Sequence, residues 1–198
     1  MNRKLRTIDL TLAGMFVALM AIGANITTFV PFMVVGGVPI TLQTFFAILA
    51  GAILGSRIGA ISMTVYALVG LVGVPVFARF GAGLSSIVSP TFGFVVSFIF
   101  TAYITGKIVE KHKGINVYIF AALVGMVVNY VVGTNWMYAA YKFWAQAPEG
   151  FTYKLVWAWM VVPLPKDIIL AVCAGVMAHR LEKSVLSKST FRNLKRAA

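Results

Sequence analysis

The chain has 198 residues, of which 60% are hydrophobic and 11% are charged, and its formal net charge is +12. Average globular chains are about half apolar and about 25% charged, so this composition excludes a disordered chain, a soluble globular enzyme and a disulfide-stabilised scaffold. A strongly basic balance is also typical of nucleic-acid binding, but these cations lie between and beyond long apolar runs, where they set membrane topology. We therefore predict an all-α, polytopic membrane protein, formed as one domain over residues 1–198.

Six apolar runs predict a bundle of six transmembrane helices, since one span needs about 20 apolar residues. The first run follows Arg3, Lys4 and Arg6 and continues past Ala24 without a convincing cleavage context, which favours a retained helix over a signal peptide. The last run is interrupted by prolines at residues 163–165. The predicted spans cover approximately residues 8–30, 39–54, 58–74, 89–108, 117–141 and 155–181.

The loop cations orient these spans. Thirteen lysine and arginine residues fall in the termini and in the loops after spans two and four, whereas the opposite loops hold only Arg79, Lys142 and Lys154. Cationic loops stay in the cytoplasm, so both termini are predicted to be cytoplasmic. The thirteen are Arg3, Lys4, Arg6, Arg57, Lys107, Lys111, Lys113, Arg180, Lys183, Lys188, Arg192, Lys195 and Arg196.

All seven prolines fall on the outer side of this topology. Because irregular backbone at membrane depth is tolerated only where it is buried or lines a cavity, they indicate a binding site that opens outward beneath the outer loops. The alternative is that these prolines only end helices. They are Pro31, Pro39, Pro75, Pro90, Pro148, Pro163 and Pro165.

Motifs for catalysis or energy supply are missing from this sequence. Gly106-Lys107 is followed by Ile108 and does not form a phosphate-binding loop. There is no chain of ionisable residues for a proton relay, no nucleophile elbow and no cluster of metal ligands. His112 and His179 lie at predicted cytoplasmic helix ends. The sequence predicts no catalytic residue, no metal and no cofactor.

Asp167 is the acidic residue best placed for membrane depth, and an intramembrane carboxylate indicates a functional site by default. Pro165 could be the first residue of the final helix, which would place Asp167 in the first turn, where the helix dipole favours an acid. The functional interpretation is an acceptor for a polar ligand beneath the outer loops. Lys166 is adjacent, but consecutive helical residues point about 100° apart, so we expect it to face the cavity or extend outward without pairing face to face.

Small residues in span one and polar residues in span five complete the candidates. Gly14 and Ala18, four residues apart, allow close helix approach, either for internal packing or for docking of a partner protein. In span five, Asn129 needs a hydrogen-bond partner in a low-dielectric site. Together with Tyr130, it suits a planar, mostly apolar ligand with a few polar edges.

Residues 38–93 closely resemble the BioY family, the biotin-capturing S components of energy-coupling-factor transporters. The matching motifs are V-P-I-T-L-Q at 38–43, V-P-V-F-A at 74–78 and P-T-F-G at 90–93. The resemblance implies a six-helix bundle that binds biotin near the outer face, under the first and third outer loops. It also implies a transmembrane coupling subunit and two ATPase subunits as partners, so the chain itself is not an enzyme. Gly14 and Ala18 occupy the place of the family's docking motif.

The last helix departs from the family pattern of Pro-Gly-Asp-x-x-Lys, because Leu170 stands where the lysine is expected. We assign the ureido N–H groups of biotin to Asp167 and its carboxylate to Arg79 or Lys166. Gln43, Thr41 and Asn129 are candidate polar partners, and Gly81, Gly83 and Tyr130 complete the substrate-binding set.

Two alternatives stay open at this point. The Leu170 departure allows another vitamin, such as riboflavin or thiamine, as the ligand of an S component. A structural or enzymatic membrane subunit could also share the bundle, because a fold does not fix a function.

Overall fold

A computed structural model of the chain describes residues 7–26, 34–35 and 38–186. Several sequence predictions lie outside these residues: the last part of span one at 27–30, and the cations and proline Arg3, Lys4, Arg6, Pro31, Lys188, Arg192, Lys195 and Arg196.

The described chain is helical apart from one small antiparallel strand pair and its loops, which confirms the helical architecture predicted from hydropathy. By length and composition, four of the helices could cross a membrane, and a bent helix pair forms a fifth candidate. The strand pair was not predicted. In chain order the elements are α1 (Thr7–Asn25), β1 (Val34–Val35), β2 (Val38–Pro39), α2 (Gln43–Leu71), α3 (Phe92–Lys111), α4 (Ile115–Phe143), α5 (Tyr153–Val161) and α6 (Leu164–Leu181).

Helix α2 is broken at Gly55 and folds back on itself. Gly55 has φ 83° and ψ 173°, a backbone conformation essentially restricted to glycine. A Cβ added to Gly59 would lie only 2.9 Å from the Gly51 Cα, so residues 43–54 and 56–71 run alongside each other. These two arms correspond to the predicted spans 39–54 and 58–74.

A carboxylate from α3 holds this reversal. Glu110 Oε1 accepts a hydrogen bond from the Ser56 backbone N–H at 2.6 Å, and Oε2 accepts from the Ser56 hydroxyl at 3.0 Å. The carboxylate therefore satisfies a backbone donor at the start of the second arm. Its negative charge also interacts favourably with the positive end of that arm's helix dipole.

Helices α2, α3 and α4 pack through small and hydroxyl side chains. A Cβ on Gly51 would lie 2.8 Å from the Ala102 Cα of α3. Thr101 and Thr105, one turn apart on α3, donate to α4 backbone carbonyls at 3.1 and 3.3 Å. Small interfacial residues and interhelical hydrogen bonds are typical of membrane bundles, because apolar contact with lipid competes with apolar contact between helices.

Helix α1 packs along one side of α2. Phe16 and Met20 are buried, whereas Leu10 and Ile22 remain exposed, as expected of a helix with one face toward lipid. At its end, the Gly23 carbonyl accepts a hydrogen bond of 3.0 Å from the Leu42 N–H, just before α2. The end of α1 is thereby attached to the segment that leads into α2.

Helices α5 and α6 form the bent pair, with an angle of 56° between them. The Thr152 hydroxyl caps the start of α5 by accepting from the Leu155 N–H at 3.2 Å. The break falls at Val162–Pro163, and α6 begins at Leu164 with Pro165 in its first turn. The final helix was predicted to begin near Pro165, and Asp167 lies in the first turn of α6.

Candidate ligand-binding cavity

A cavity of about 320 Å³ opens between the start of α2, the loop from Phe77 to Thr91, the middle of α4 and the α5–α6 bend. Small-molecule sites in proteins occupy about 300–1,000 Å³, so this cavity suits a small ligand. Most of the predicted substrate-binding residues line it, namely Thr41, Gln43, Arg79, Gly81, Asn129, Tyr130, Lys166 and Asp167.

Asp167 is the most buried of the charged residues that line this cavity, with 6% of its surface exposed. Its Oδ2 accepts a hydrogen bond of 2.7 Å from the Tyr130 hydroxyl. The Lys166 Nζ lies 2.7 Å from Oδ1. That approach falls outside hydrogen-bond geometry, and Oδ1 makes no hydrogen bond within the described part of the chain. Oδ1 itself is buried, and the Lys166 ammonium is the charge that faces it.

The expectation that Lys166 and Asp167 would not meet was wrong. Consecutive helical residues do point their Cα–Cβ bonds about 100° apart. The lysine side chain is long enough, however, to bring its Nζ to the neighbouring carboxylate at the first turn of α6. Its Nζ also donates a hydrogen bond of 2.6 Å to the Thr41 carbonyl. Lys166 thus bridges α6 to the segment before α2 and supplies the counter-charge that a buried carboxylate requires.

Amide side chains form the polar floor of the cavity. The Gln43 Nε2 donates to the Tyr66 hydroxyl at 2.7 Å, and that hydroxyl donates to the Val76 carbonyl at 2.9 Å. Asn129 Nδ2 donates to the Thr44 hydroxyl at 3.0 Å. Because each amide is held by a neighbouring helix or loop, the floor is ordered before any ligand arrives.

Arg79 enters the cavity from a strained turn. Arg79 and Phe80 have φ values of 59° and 56°, in the left-handed region that bulky residues rarely adopt. Arg79 is exposed. Gly81 lines the cavity, but Gly83 is not among the lining residues. Gly83 has φ 87° and its N–H donates to the Gly70 carbonyl at 2.8 Å, so its contacts are those of a structural turn.

Aromatic side chains supply the apolar wall, and the four named here were not among the predicted site residues. Phe92 and Trp159 line the cavity together with Phe77 and Tyr141. Phe77 and Phe92 meet edge to face with ring centroids 6.3 Å apart, and Tyr141 and Trp159 do so at 6.1 Å. In a chain with 15 phenylalanines and 4 tryptophans, aromatic residues in apolar spans carry no signal that separates cavity walls from helix packing.

Gly14 and Ala18 lie apart from the cavity, on the exposed face of α1. A Cβ added to Gly14 would meet no atom within 4 Å. Gly14 therefore does not serve internal helix packing among the described residues, although packing was one of its two interpretations.

Comparisons with a family model and with individual proteins identify the same family. The model of the BioY family matches residues 1–187. The "Putative biotin transporter BioYB" of Bacillus subtilis is 41% identical over 96% of this chain and 95% of its own length. The "Biotin transporter BioY" of Rhodobacter capsulatus is 35% identical over 87% of this chain and 92% of its own.

A solved structure also matches the fold. The S-component for biotin from an ECF-type ABC transporter superimposes with a TM-score of 0.76 at 25% sequence identity. The match covers 93% of this chain and 95% of that chain.

Proposed function

The chain belongs to the BioY family, and on that premise we propose that it binds biotin and serves as the substrate-specific subunit of an ATP-driven energy-coupling-factor transporter. The observation that carries the proposal is the buried Asp167 carboxylate on the wall of a cavity of about 320 Å³. One of its oxygens is held by Tyr130, and the other lies against the Lys166 ammonium.

The chemistry of biotin matches this wall. Biotin has a compact fused ring with ureido N–H donors and a tail that ends in a carboxylate. A ureido N–H directed at the Asp167 carboxylate would form a charge-assisted hydrogen bond, which is stronger than a neutral one. The apolar ring edges would contact Phe77, Phe92 and Trp159, which line the cavity.

The carboxylate tail requires a cation, and Arg79 is the better of the two candidates. Lys166 Nζ is already engaged by Asp167 and the Thr41 carbonyl. Arg79 is exposed at the cavity, where its guanidinium can bind a carboxylate in bidentate geometry. Leu170, which stands at the position of the family's lysine, does not line the cavity, and in our assignment Arg79 supplies the cation for the tail.

The proposed topology follows from the reversal at Gly55 and the loop charges. The two arms of α2 count as two spans, and α5 with α6 counts as one broken span. With α1, α3 and α4 this gives six spans with both termini in the cytoplasm and the cavity near the outer face. A coupling subunit would dock at Gly14 and Ala18, and two ATPase subunits would supply the energy. The plasma membrane is the corresponding location.

Equilibrium binding of radiolabelled biotin to the purified chain in lipid nanodiscs tests the proposal. We expect the parent chain to retain biotin and to retain neither riboflavin nor thiamine. Asp167→Ala should lose most of the binding, whereas Glu149→Ala, an acid in the exposed α4–α5 loop, should bind like the parent. Folded parent protein that retains no biotin would contradict the function.

A further inference from the structure

The turn that carries Arg79 requires an external restraint. Arg79 and Phe80 are consecutive non-glycine residues in the left-handed region. Such conformations are costly and persist only where the surrounding structure over-determines them. Two hydrogen bonds inside the turn, Phe77 N–H to the Gly81 carbonyl at 3.1 Å and Gly81 N–H to the Ala78 carbonyl at 3.3 Å, close it into a loop.

The restraint from outside the turn comes from Asn25, the last residue of α1. Its Oδ1 accepts a hydrogen bond of 2.7 Å from the Phe80 N–H. Its Nδ2 donates to the Ala21 carbonyl one turn earlier at 3.0 Å. The two bonds fix the orientation of the amide, because a flipped amide would set a donor against the Phe80 N–H. With 7% of its surface exposed, Asn25 is held in place by its surroundings.

The Phe80 N–H belongs to the peptide bond that directly follows Arg79. Holding this N–H fixes the plane of that peptide, and with it the backbone angle ψ of Arg79, which is 34°. The direction in which the arginine side chain leaves the backbone is therefore set from α1. Among the described residues Asn25 makes its hydrogen bonds to the Ala21 carbonyl and the Phe80 N–H and none to the guanidinium, so its effect passes through the backbone.

We propose that Asn25 is a positioning residue that aims Arg79 at the carboxylate of the ligand, and so determines selectivity for ligands with an anionic tail. This inference rests on the proposed function and on the assignment of Arg79 within it. Asn25 contributes nothing to the ring-binding end of the cavity at Asp167.

The test compares biotin with biotin methyl ester, which keeps the ring and the tail but has no charge. In nanodiscs we expect Asn25→Ala to weaken biotin binding about tenfold and to change methyl ester binding by less than about twofold. In an Arg79→Ala background, Asn25→Ala should cause no further loss of biotin affinity. Asn25→Asp keeps the acceptor for the Phe80 N–H and should retain most of the preference for biotin.

Asn116→Ala, at an exposed asparagine of α4, is the matched control and should bind both ligands like the parent. If Asn25→Ala is not recovered folded, Asn25→Gln, which displaces the amide by one methylene, gives the same comparison and the same expected loss of preference. Equal weakening of both ligands, or additive losses with Arg79→Ala, would overturn the inference while leaving the proposed function intact. A folded parent that binds neither ligand would overturn both.

Discussion

Tyr130 on α4 donates a hydrogen bond of 2.7 Å to Oδ2 of Asp167 on α6, and this bond orients a carboxylate that is 6% exposed. The Lys166 Nζ lies 2.7 Å from the other oxygen, Oδ1. The Tyr130–Asp167 pair therefore joins two helices and fixes the orientation of the carboxylate.

Replacing Asp167 should weaken biotin binding more than any other single change at the cavity. Hydrogen bonds to charged groups contribute about 1.5–3 kcal/mol, so we expect Asp167→Ala and Asp167→Asn to lower affinity about 10–100-fold. Titration calorimetry on the purified chain measures this loss. Parent-like affinity in both variants would remove Asp167 from the site.

Tyr130→Phe should have a smaller effect, because the tyrosine only orients the carboxylate. Only part of the energy of this hydrogen bond, which is about 1.5–3 kcal/mol for a charged acceptor, affects the ligand, so we expect roughly two- to tenfold weaker binding. Tyr103→Phe, on the exposed surface of α3, is the control and should leave affinity unchanged. A loss as large as that of Asp167→Ala would instead place the Tyr130 hydroxyl in contact with the ligand.

Lys166→Met should lower thermal stability, because it leaves the buried Asp167 carboxylate without its cation. The lysine side chain is 28% exposed, so we expect a loss of about 1–3 kcal/mol rather than the full cost of a deeply buried pair. Lys166→Met combined with Asp167→Asn should recover about half of the shift in the unfolding midpoint. Equal midpoints for the single and double variants would show that the pairing does not stabilise the protein.

Gly55→Ala should destabilise the protein because its φ of 83° and ψ of 173° exclude side chains. The new Cβ would also lie 2.7 Å from Glu110 Oε1, the oxygen that caps residues 56–71. We expect a lower unfolding midpoint and a smaller folded yield in detergent. Gly14→Ala, also in a helix but with open space around it, is the control and should be neutral in the isolated chain. Equal yields and midpoints for the two variants would argue against a strained reversal.

Gly14→Leu and Ala18→Leu should separate ligand capture from transport. Both positions are exposed on α1 and lie away from the cavity, so biotin affinity of the purified chain should stay within about twofold of the parent. Uptake by cells that also express the partner subunits should fall steeply, because bulky side chains prevent close helix approach. Unchanged uptake would exclude this face as the docking surface.

Hydropathy and loop charge predicted the helical architecture because a lipid environment requires whole segments of about 20 residues to be apolar and helical. They could not predict the form of the turn between the arms of α2. The predicted spans leave a loop at residues 55–57, which contains Gly55, but they do not indicate that the reversal depends on Glu110, 55 residues later. A hydrogen bond between residues so far apart in the chain depends on tertiary structure, and no local sequence pattern indicates it.

The candidate site was predictable where one residue stood out chemically. Asp167 is conspicuous as an acid in an apolar stretch, and the polar residues near it lie around the same cavity. The pairing of Lys166 with Asp167 was not predicted, because helix geometry fixes the direction of the Cα–Cβ bond but not the position of the end of a long side chain. Asn25 was missed because an asparagine at the end of a helix is also an ordinary helix terminus.

The C-terminal end of α1 is hydrogen-bonded to two segments next to the cavity, through Gly23 to Leu42 and through Asn25 to Phe80. A tilt of this one helix would therefore displace both rims of the cavity together. A protein that binds the exposed side of α1 and favours one tilt would then change the affinity of the cavity for its ligand. By thermodynamic reciprocity, an occupied cavity must change the grip of that protein by the same factor.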